Sequence, residues 1–210
     1  MTPTEDEAPS RPRRVDRRSI ATRAKIIDAA IGQLARHGYE NTLIAAIATD
    51  VGITDAGVMH HYPTKRALFR AVVERIAEFQ QGLFRDLLAP GGTEGIRNLA
   101  SLGALIEEVG DYVKATVVVY SEAMGDHCEV REVIVAWRAA ITGMLVGALE
   151  EGVRRGEVAP GVDVGFEART LLNRVNSLVV DWLFNEDPAT AATDFATAVD
   201  VLLARIAAPA

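Results

Sequence analysis

The sequence predicts an all-α protein, and two observations lead to this prediction. Apolar residues recur with a period near 3.6 along almost the whole chain, which is typical of amphipathic helices. Four internal prolines, Pro63, Pro90, Pro160 and Pro188, fall between these periodic segments, where helices are expected to end. Residues 115–120 (ATVVVY) favour a strand by propensity, but a single strand has no partner, so we expect a helix there too.

The predicted helices follow one another from the amino terminus. A first apolar stripe ends at His37-Gly38, which is a typical helix-stop signal, and a second, short stripe ends at Gly52. Thr54 begins a third short segment, and Thr64 is a good cap for a fourth helix that runs to about Leu88. Two or three helices are expected between residues 93 and 124, and longer ones at about 130–154, 165–184 and 189–207.

The composition is that of a soluble globular protein, with 49% hydrophobic and 24% charged residues. The lone Cys128 excludes an internal disulfide and a thiolate zinc cluster, and the polar first residues do not form a signal peptide. The longest apolar run, 133–149, carries Arg138 near its middle, so we interpret it as a buried helix rather than a membrane span. We therefore expect a cytoplasmic protein with no membrane association.

Metal ligands and cofactor-binding motifs are not predicted. The sequence His127-Cys128-Glu129 resembles a metal site in composition only, because adjacent residues do not easily converge on one ion. The chain also has no P-loop, no G-x-S-x-G, no H-E-x-x-H and no glycine-rich dinucleotide turn. We expect no metal, no cofactor and no enzymatic activity.

The charges are distributed unevenly. Residues 10–75 contain 12 Lys and Arg against 6 Asp and Glu, whereas residues 76–210 contain 10 against 20, and the net charge is −7. Such an asymmetry suggests a nucleic-acid-binding module joined to an acidic remainder. Within the basic part, a short helix, a tight turn at Gly52 and a second short helix match the spacing of a helix-turn-helix.

Residues 25–68 resemble the N-terminal domain of the tetracycline-repressor (TetR) family of bacterial transcription regulators. The match is unbroken over about 45 residues and covers about a fifth of the chain; a looser likeness is seen in GEVAPGVD at 156–163. The matching elements are the I-x-x-A pattern at 27–30, His37-Gly38-Tyr39, Thr42, Ile47-Ala48, Gly52-Ile53-Thr54, Val58, Tyr62-Pro63, Lys65 and Leu68.

The resemblance implies an all-α homodimer in which a three-helix helix-turn-helix domain is joined by a fourth helix to a C-terminal helical domain. That second domain would form a ligand pocket and the dimer interface. We expect a disordered basic arm at 1–18, the DNA-binding domain at 19–65 and the ligand-binding and dimerisation domain at 66–210.

The family pattern implies which residues meet double-stranded DNA. Thr42 and Thr54 are expected to cap helices and to touch phosphate. Lys65 is also expected to touch phosphate, while Tyr62 is expected in the core. Asp55 departs from the family, and two interpretations stay open: an acid that favours the helix dipole, or an acceptor for a cytosine amino group. The complete predicted set is Thr42, Thr54, Asp55, Ala56, Gly57, His60, His61 and Lys65.

Two further features bear on DNA binding. Ala45 and Ala46 stand where many family members carry a basic and an acidic residue, so the second helix should lack a capping box and offer few contacts. The tail RPRRVDRR is either a solvated segment or a minor-groove arm. Its cations are Arg11, Arg13, Arg14, Arg17 and Arg18.

The C-terminal half supplies weaker predictions. Gly143 and Gly147 lie four residues apart on one long helix, where small residues allow a partner helix to approach, so we place them at the dimer interface. Aromatic, methionine and amide side chains within apolar helices are candidates for a ligand pocket. They are Tyr112, Tyr120, Met124, Trp137, Asn173, Asn176 and Trp182.

Two functions are consistent with these features. The first is a ligand-responsive regulator, a repressor, that binds a palindromic operator as a homodimer and is released by a small-molecule effector. The second is an all-α small-molecule carrier or enzyme that retains the N-terminal fold without specific DNA binding. The basic N-terminal third with Thr42, Thr54 and Lys65 favours the first, because a carrier has no need of it.

Overall fold

A computed structural model of the chain describes residues 14–125, 130–185 and 187–209. Within these residues the fold consists of α-helices, one short 3-10 turn and a single isolated bridge between Val158 and Ala207. The prediction of an all-α protein is confirmed, and residues 115–120 lie inside a helix. The helices are α1 (Arg14–Asn41), α2 (Ile44–Val51), α3 (Asp55–His61), α4 (Lys65–Leu88), α5 (Gly92–Asn98), α6 (Leu102–Leu105), α7 (Gly110–Met124), α8 (Arg131–Arg154), α9 (Val164–Asn185) and α10 (Pro188–Ile206).

Helix α1 begins earlier than the sequence suggested. The expected disordered arm extended to residue 18, whereas α1 already starts at Arg14. The physical reason is that no proline or glycine follows Pro12 until Gly32, so nothing interrupts the helix at its amino-terminal end. Residues 1–13, including Arg11 and Arg13, lie outside the described residues.

The end of α1 is bent at Gly38, which has φ 71° and ψ 176°. This left-handed φ is easily adopted by glycine, so the predicted helix stop is a sharp kink rather than a clean end. Tyr39, directly after the kink, turns into the core and packs against Phe69 of α4, with ring centroids 4.7 Å apart.

A small core holds the first three helices on α4. Ile26 and Ile31 of α1, Ile47 of α2 and Val58 of α3 are all at most 1% exposed. Helix α4 continues beyond this core, and its Phe84 and Leu88 are buried among the C-terminal helices. Because α4 belongs to both halves, and because α1 also packs on α7, the two halves of the chain are in direct contact.

Helix α8 is long and apolar enough to cross a membrane by length and composition alone. In the structure it packs against α4, α5 and α9 through one face, where Trp137, Ile141 and Leu145 are at most 1% exposed. Arg138, which interrupts the apolar run, is half-buried and hydrogen-bonded to Tyr120 and Asn173. These contacts are what a core helix makes, in line with the sequence interpretation.

Candidate functional site: the helix-turn-helix and a cavity

The turn between α2 and α3 is fixed by Gly52, which adopts φ 75° and ψ 36°. Its N–H donates to the carbonyl of Thr49, and the N–H of Ile53 donates to the carbonyl of Ala48 at 3.0 Å. These bonds satisfy the last carbonyls of α2 while the chain reverses. A residue with a side chain would be strained at this φ, so the predicted role of Gly52 has a direct structural basis.

Helix α3 presents an exposed face beside its single buried anchor, Val58. Asp55, Ala56 and His60 are exposed on this face, while Gly57 and His61 are half-buried. Met59, which is 38% exposed, lies on the same face and was not among the sequence candidates. The helical spacing 55, 56, 59, 60 could have identified it, because these positions lie within about 140° of one another.

The two threonines expected to cap helices behave differently. Thr54 caps α3 as predicted, since its hydroxyl oxygen accepts a hydrogen bond from the N–H of Gly57 at 3.1 Å. The capping role predicted for Thr42 is wrong. Leu43 stands at the start of α2 instead, and the buried Thr42 hydroxyl donates to the carbonyl of Gly38 at 2.7 Å. The hydroxyl bonds back to the carbonyl four residues earlier, as that of Thr49 does to Ala45, and so it does not cap α2.

The amino-terminal end of α2 has no side-chain cap, as expected from the missing capping box at Ala45 and Ala46. Helix α2 is held from its other end. Asp50 accepts a hydrogen bond from Gln33 of α1 at 2.7 Å and lies 3.9 Å from the guanidinium of Arg36. The second helix is therefore positioned by α1, while no side chain caps its first turn.

Lys65 is the first residue of α4, capped by Thr64, whose hydroxyl accepts from the N–H of Ala67. Its ammonium group donates to the carbonyl of Glu40 at 2.9 Å and lies 4.5 Å from the centroid of the Tyr39 ring. In the DNA-free protein this cation therefore ties α4 to the end of α1. It stands at the edge of the helix-turn-helix, where the sequence predicts a phosphate contact.

A cluster of ionisable groups closes the carboxyl end of α3. The guanidinium of Arg23 lies 5.9 Å from the centroid of the half-buried Tyr62, and the rings of His60 and His61 are in edge contact. Burial lowers the pKa of His61, and repulsion from His60 and Arg23 lowers it further. Burial raises the pKa of Tyr62. Arg23 was not a sequence candidate, although a charged side chain on the helix that precedes the helix-turn-helix is expected at the surface.

A cavity of about 320 Å³ lies between α4, α6, α7, α9 and α10. Twelve of its seventeen lining residues are aliphatic, methionine or phenylalanine. The others are Gln80, Thr116, Tyr120, Ser121 and Asn176. Its size and lining match those of small-molecule sites, which are mostly apolar with a few placed polar groups.

Three of the seven ligand candidates, Tyr120, Met124 and Asn176, line this cavity. The other four do not. Tyr112 and Trp182 border a separate, more polar cleft, Trp137 is buried behind Tyr120 with ring centroids 5.6 Å apart, and Asn173 is exposed and bound to Arg138. The sequence cannot separate the residues that line the cavity from the others, because all seven are aromatic, methionine or amide side chains within apolar helices. They differ only in whether their side of the helix faces the cavity.

Comparisons with known proteins agree with this geometry. Residues 26–72, which span the helix-turn-helix and the start of α4, match the model of the bacterial regulatory proteins of the tetR family. The chain is 23% identical over 163 residues to the fatty acid metabolism regulator protein of Bacillus subtilis, covering 77% of this chain and 84% of that one. The amino-terminal domain of the chain, residues 26–72, thus matches the DNA-binding domain of the tetR family.

Solved structures of this family have the same fold. A TetR-family transcriptional regulator from Agrobacterium tumefaciens is 21% identical with a TM-score of 0.77, covering 90% of this chain and all of the other. The regulator FadR of Bacillus subtilis, solved in complex with stearoyl-CoA, is 19% identical with a TM-score of 0.73, covering 87% and 98%. The resemblance seen in the sequence is thus confirmed, and the relatives are regulators rather than enzymes.

In the C-terminal domain, Gly143 and Gly147 both lie on the exposed side of α8. A Cβ atom added at either glycine would meet no atom within 4 Å in the single chain. The two positions are therefore open to a partner, as the sequence prediction requires. Their place at a dimer interface stays a prediction. The group at 127–129 lies outside the described residues, and the described residues contain no cluster of metal-ligating side chains.

Proposed function

We propose that this tetR-family protein is a ligand-responsive transcriptional repressor that binds a palindromic operator as a homodimer and is released by a small-molecule effector. One observation carries the proposal. Helix α7 lines the apolar cavity with Thr116 and Tyr120, while its Tyr112 contacts α1 of the helix-turn-helix domain. A ligand that moves α7 therefore acts directly on the helix that positions the DNA-binding elements.

DNA contact is proposed for the exposed face of α3 and for the elements at its edges. Asp55, Ala56, Gly57 and His60 would enter the major groove, and the first turn of α3, capped by Thr54, would face phosphate. Lys65 and His61 would contact the flanking backbone. At Thr42 we propose that the neighbouring residues, and not the threonine hydroxyl, contact the DNA, because this hydroxyl already donates to the carbonyl of Gly38.

A homodimer is proposed because one helix-turn-helix reads only one half-site, and two related half-sites lie about 34–36 Å apart on one side of the duplex. Large apolar side chains are exposed on the C-terminal helices of the single chain, which supports an interface there. They are Val135 of α8, Phe166, Val180 and Phe184 of α9, and Val201 of α10. Such a regulator works in the cytoplasm, where it reaches the chromosome.

The effector would act by shifting a population of conformers. An effector that binds one arrangement of α4 and α7 more tightly than the other favours it by the difference in affinity. If the favoured arrangement separates the two copies of α3, they no longer fit two successive major grooves. We propose a matching division of the chain into domains: residues up to 65 bind DNA, and residues beyond 65 bind the effector.

The test is binding to the DNA that flanks the protein's own gene, measured by fluorescence anisotropy against a random duplex of equal length. We expect operator binding at least about 1,000-fold tighter than random binding, as for other specific regulators. A reporter gene behind the same DNA should be silenced by the protein. Equal affinity for both duplexes would contradict the proposal, and a reporter that is activated would contradict repression alone.

A further inference from the structure

We propose that the effector is an uncharged, amphipathic small molecule whose polar end binds along Gln80, Thr116 and Tyr120. The inference rests on the proposed function, because it takes the cavity to be the effector site. It adds the chemical class of the ligand. The argument uses the charge of the cavity wall, its hydrogen-bonding groups and its size.

The wall of the cavity carries no charge. Among the described residues, none of the seventeen lining side chains is an acid, a lysine, an arginine or a histidine. An ionised group that is moved from water into such a wall loses its hydration and gains no opposite charge in return. A ligand whose charge enters this cavity would therefore bind far more weakly than an uncharged ligand of the same shape.

Three polar side chains of the cavity wall, Gln80, Thr116 and Tyr120, lie next to one another. Gln80 of α4 donates to the hydroxyl of Thr116 at 2.9 Å, and that hydroxyl donates to the carbonyl of Tyr112 at 2.7 Å. The Thr116 hydroxyl thereby uses its hydrogen and one of its two lone pairs, and it can still accept one bond from a ligand. Gln80 retains its second amide hydrogen and its carbonyl oxygen. Tyr120 lies one turn of α7 further on, on the same face as Thr116. These groups can bind a hydroxyl, carbonyl or amide, all of which are neutral.

Arg138 contacts Tyr120 but is not among the residues that line the cavity. Its guanidinium donates to the Tyr120 hydroxyl at 3.4 Å and to the Asn173 side-chain oxygen at 3.0 Å. Because the Tyr120 oxygen accepts this bond, its own hydrogen is free to be donated. Burial raises the pKa of Tyr120, and the opposing effect of Arg138 is smaller, so the hydroxyl remains protonated at neutral pH. Tyr120 is thus a neutral donor at the wall.

The volume limits the size of the ligand. About 320 Å³ corresponds to roughly ten water molecules at 30 Å³ each, so a ligand with about ten non-hydrogen atoms fills the cavity. Three probes of this size differ only in their end group: decan-1-ol, decanoate and decylamine. At pH 7.5 the first is neutral, the second is an anion and the third is a cation.

The experiment measures the dissociation constant of each probe for the full-length protein by calorimetry, below the concentration at which the probe forms micelles. We expect decan-1-ol to bind at least tenfold more tightly than decanoate and decylamine. Tyr120→Phe should weaken decan-1-ol several-fold. Asn176→Asp places an anion in the wall and should strengthen decylamine and weaken decanoate, each by about tenfold.

Asn185→Asp is the matched control. It makes the same change at the end of the same helix, but Asn185 is exposed, lies outside the cavity and is bonded to the carbonyl of Asp181 rather than to Arg138. It should leave the order of the three probes unchanged. Normal operator binding by each variant shows that the variant is folded.

Two outcomes overturn the inference: either ion binds the wild type as tightly as decan-1-ol, or decan-1-ol does not bind. Neither outcome affects operator recognition, which is measured separately with DNA. Conversely, a protein that binds decan-1-ol as expected but shows no preference for its operator contradicts the proposed function and leaves the chemistry of the cavity intact.

Discussion

The hydroxyl of Tyr112 on α7 donates a hydrogen bond to Oδ1 of Asp28 on α1 across 3.3 Å. Arg75 of α4 joins the same group, with its Nε 3.9 Å from Asp28, and hydrogen bonding to Tyr112 raises the pKa of Arg75. The Tyr112 ring also packs on Phe79 of α4, with centroids 4.5 Å apart. Three helices thus meet where the DNA-binding domain contacts the C-terminal domain, one to two turns of α7 from the cavity residues Thr116 and Tyr120.

The link between Tyr112 and Asp28 predicts an energetic coupling between the two domains. Tyr112→Phe removes the hydroxyl but keeps the ring on Phe79, and Asp28→Ala removes the acceptor. In a double-mutant cycle on the free energy of unfolding, the two changes should be non-additive by about 0.5–1 kcal/mol, because the groups are partly exposed. Denaturant unfolding measures this energy. Tyr120→Phe, which removes a hydroxyl elsewhere on α7, should be additive with Asp28→Ala, and full additivity of both pairs would contradict the coupling.

Lys65 is predicted to contact phosphate, whose charge is the same at every base step. Lys65→Ala should weaken binding to operator and random DNA by similar factors and reduce the slope of log affinity against log salt by about 0.9. It should also cost about 1 kcal/mol of unfolding free energy, because the bond to the Glu40 carbonyl is lost. Salt titrations monitored by anisotropy measure the slope.

A matched control for Lys65 is Arg97→Ala, which removes one positive charge from exposed α5 in the C-terminal half. This change alters the net charge by the same amount but should leave the salt slope unchanged. Equal slopes for the two variants would show that Lys65 acts through net charge and the fold alone. Sequence-independent weakening with a smaller slope would assign it to the DNA backbone.

Asp55 decides between two interpretations that the sequence leaves open. It is exposed in the first turn of α3, which suits both an acid at a helix amino terminus and an acceptor for a base. If it accepts from a cytosine, Asp55→Ala should relax discrimination at one base pair of each half-site by about 1–3 kcal/mol. If it only favours the dipole, the change should cost about 0.3–1 kcal/mol of stability and leave base preference intact. Binding to point-substituted operators separates the two, and affinity for random DNA should rise in both cases because an anion is removed.

Much of the DNA-binding domain could be predicted from the sequence, because its signals are local. The glycine at 52, the cap at Thr54 and the start of α4 after Thr64 each depend on one residue and its near neighbours, and the structure agrees with all three. Thr42 was misassigned because a threonine beside a helix start can either cap the next helix or bond back to the carbonyl four residues earlier, and the sequence does not show that Thr42 does the latter.

The cavity was less predictable for a different reason. Whether Trp137 or Asn176 lines it depends on how five helices are rotated about their axes, which is set by packing between segments far apart in the chain. Gln80 and Thr116 were missed, although a polar residue on the apolar side of a helix is a usable signal. Their hydrogen bond joins positions 36 residues apart, and no spacing in the sequence indicates that contact.

Protonation of His61 should have two opposite effects: acid should destabilise the free protein and strengthen operator binding. In the free protein its pKa is lowered by burial and by the nearby His60 and Arg23, so the folded state binds this proton more weakly than the unfolded state does. Stability that depends on neutral His61 is therefore present above about pH 6.5 and is lost as the pH falls towards the lower, folded pKa. Near a DNA phosphate the imidazolium is favoured instead, so operator affinity should rise over the same range.

The measurement for His61 is an NMR titration of its ring proton with and without operator, together with anisotropy at several pH values. The titration midpoint should move upward when DNA is bound. His61→Gln should reduce both the pH dependence of stability and that of binding. A midpoint that does not move on adding operator would place His61 away from the phosphates.

The glycines of α8 predict where two copies of the chain meet. Because a Cβ atom at Gly143 or Gly147 has no neighbour within 4 Å in one chain, a side chain can leave the helix there without a clash at Cβ, and Gly→Leu should stabilise the helix by up to about 1 kcal/mol. At a close dimer interface the same leucine would overpack, costing about 1–3 kcal/mol per site and raising the dimer dissociation constant about 5- to 150-fold.

Gly82→Leu on α4 is the matched control, since a Cβ atom at Gly82 likewise has no neighbour within 4 Å. Sedimentation from nanomolar to micromolar concentration measures the dissociation constant. A tight dimer with both leucines present would move the interface to the exposed apolar residues of α9 and α10, and would leave the match of residues 26–72 to the tetR family unchanged.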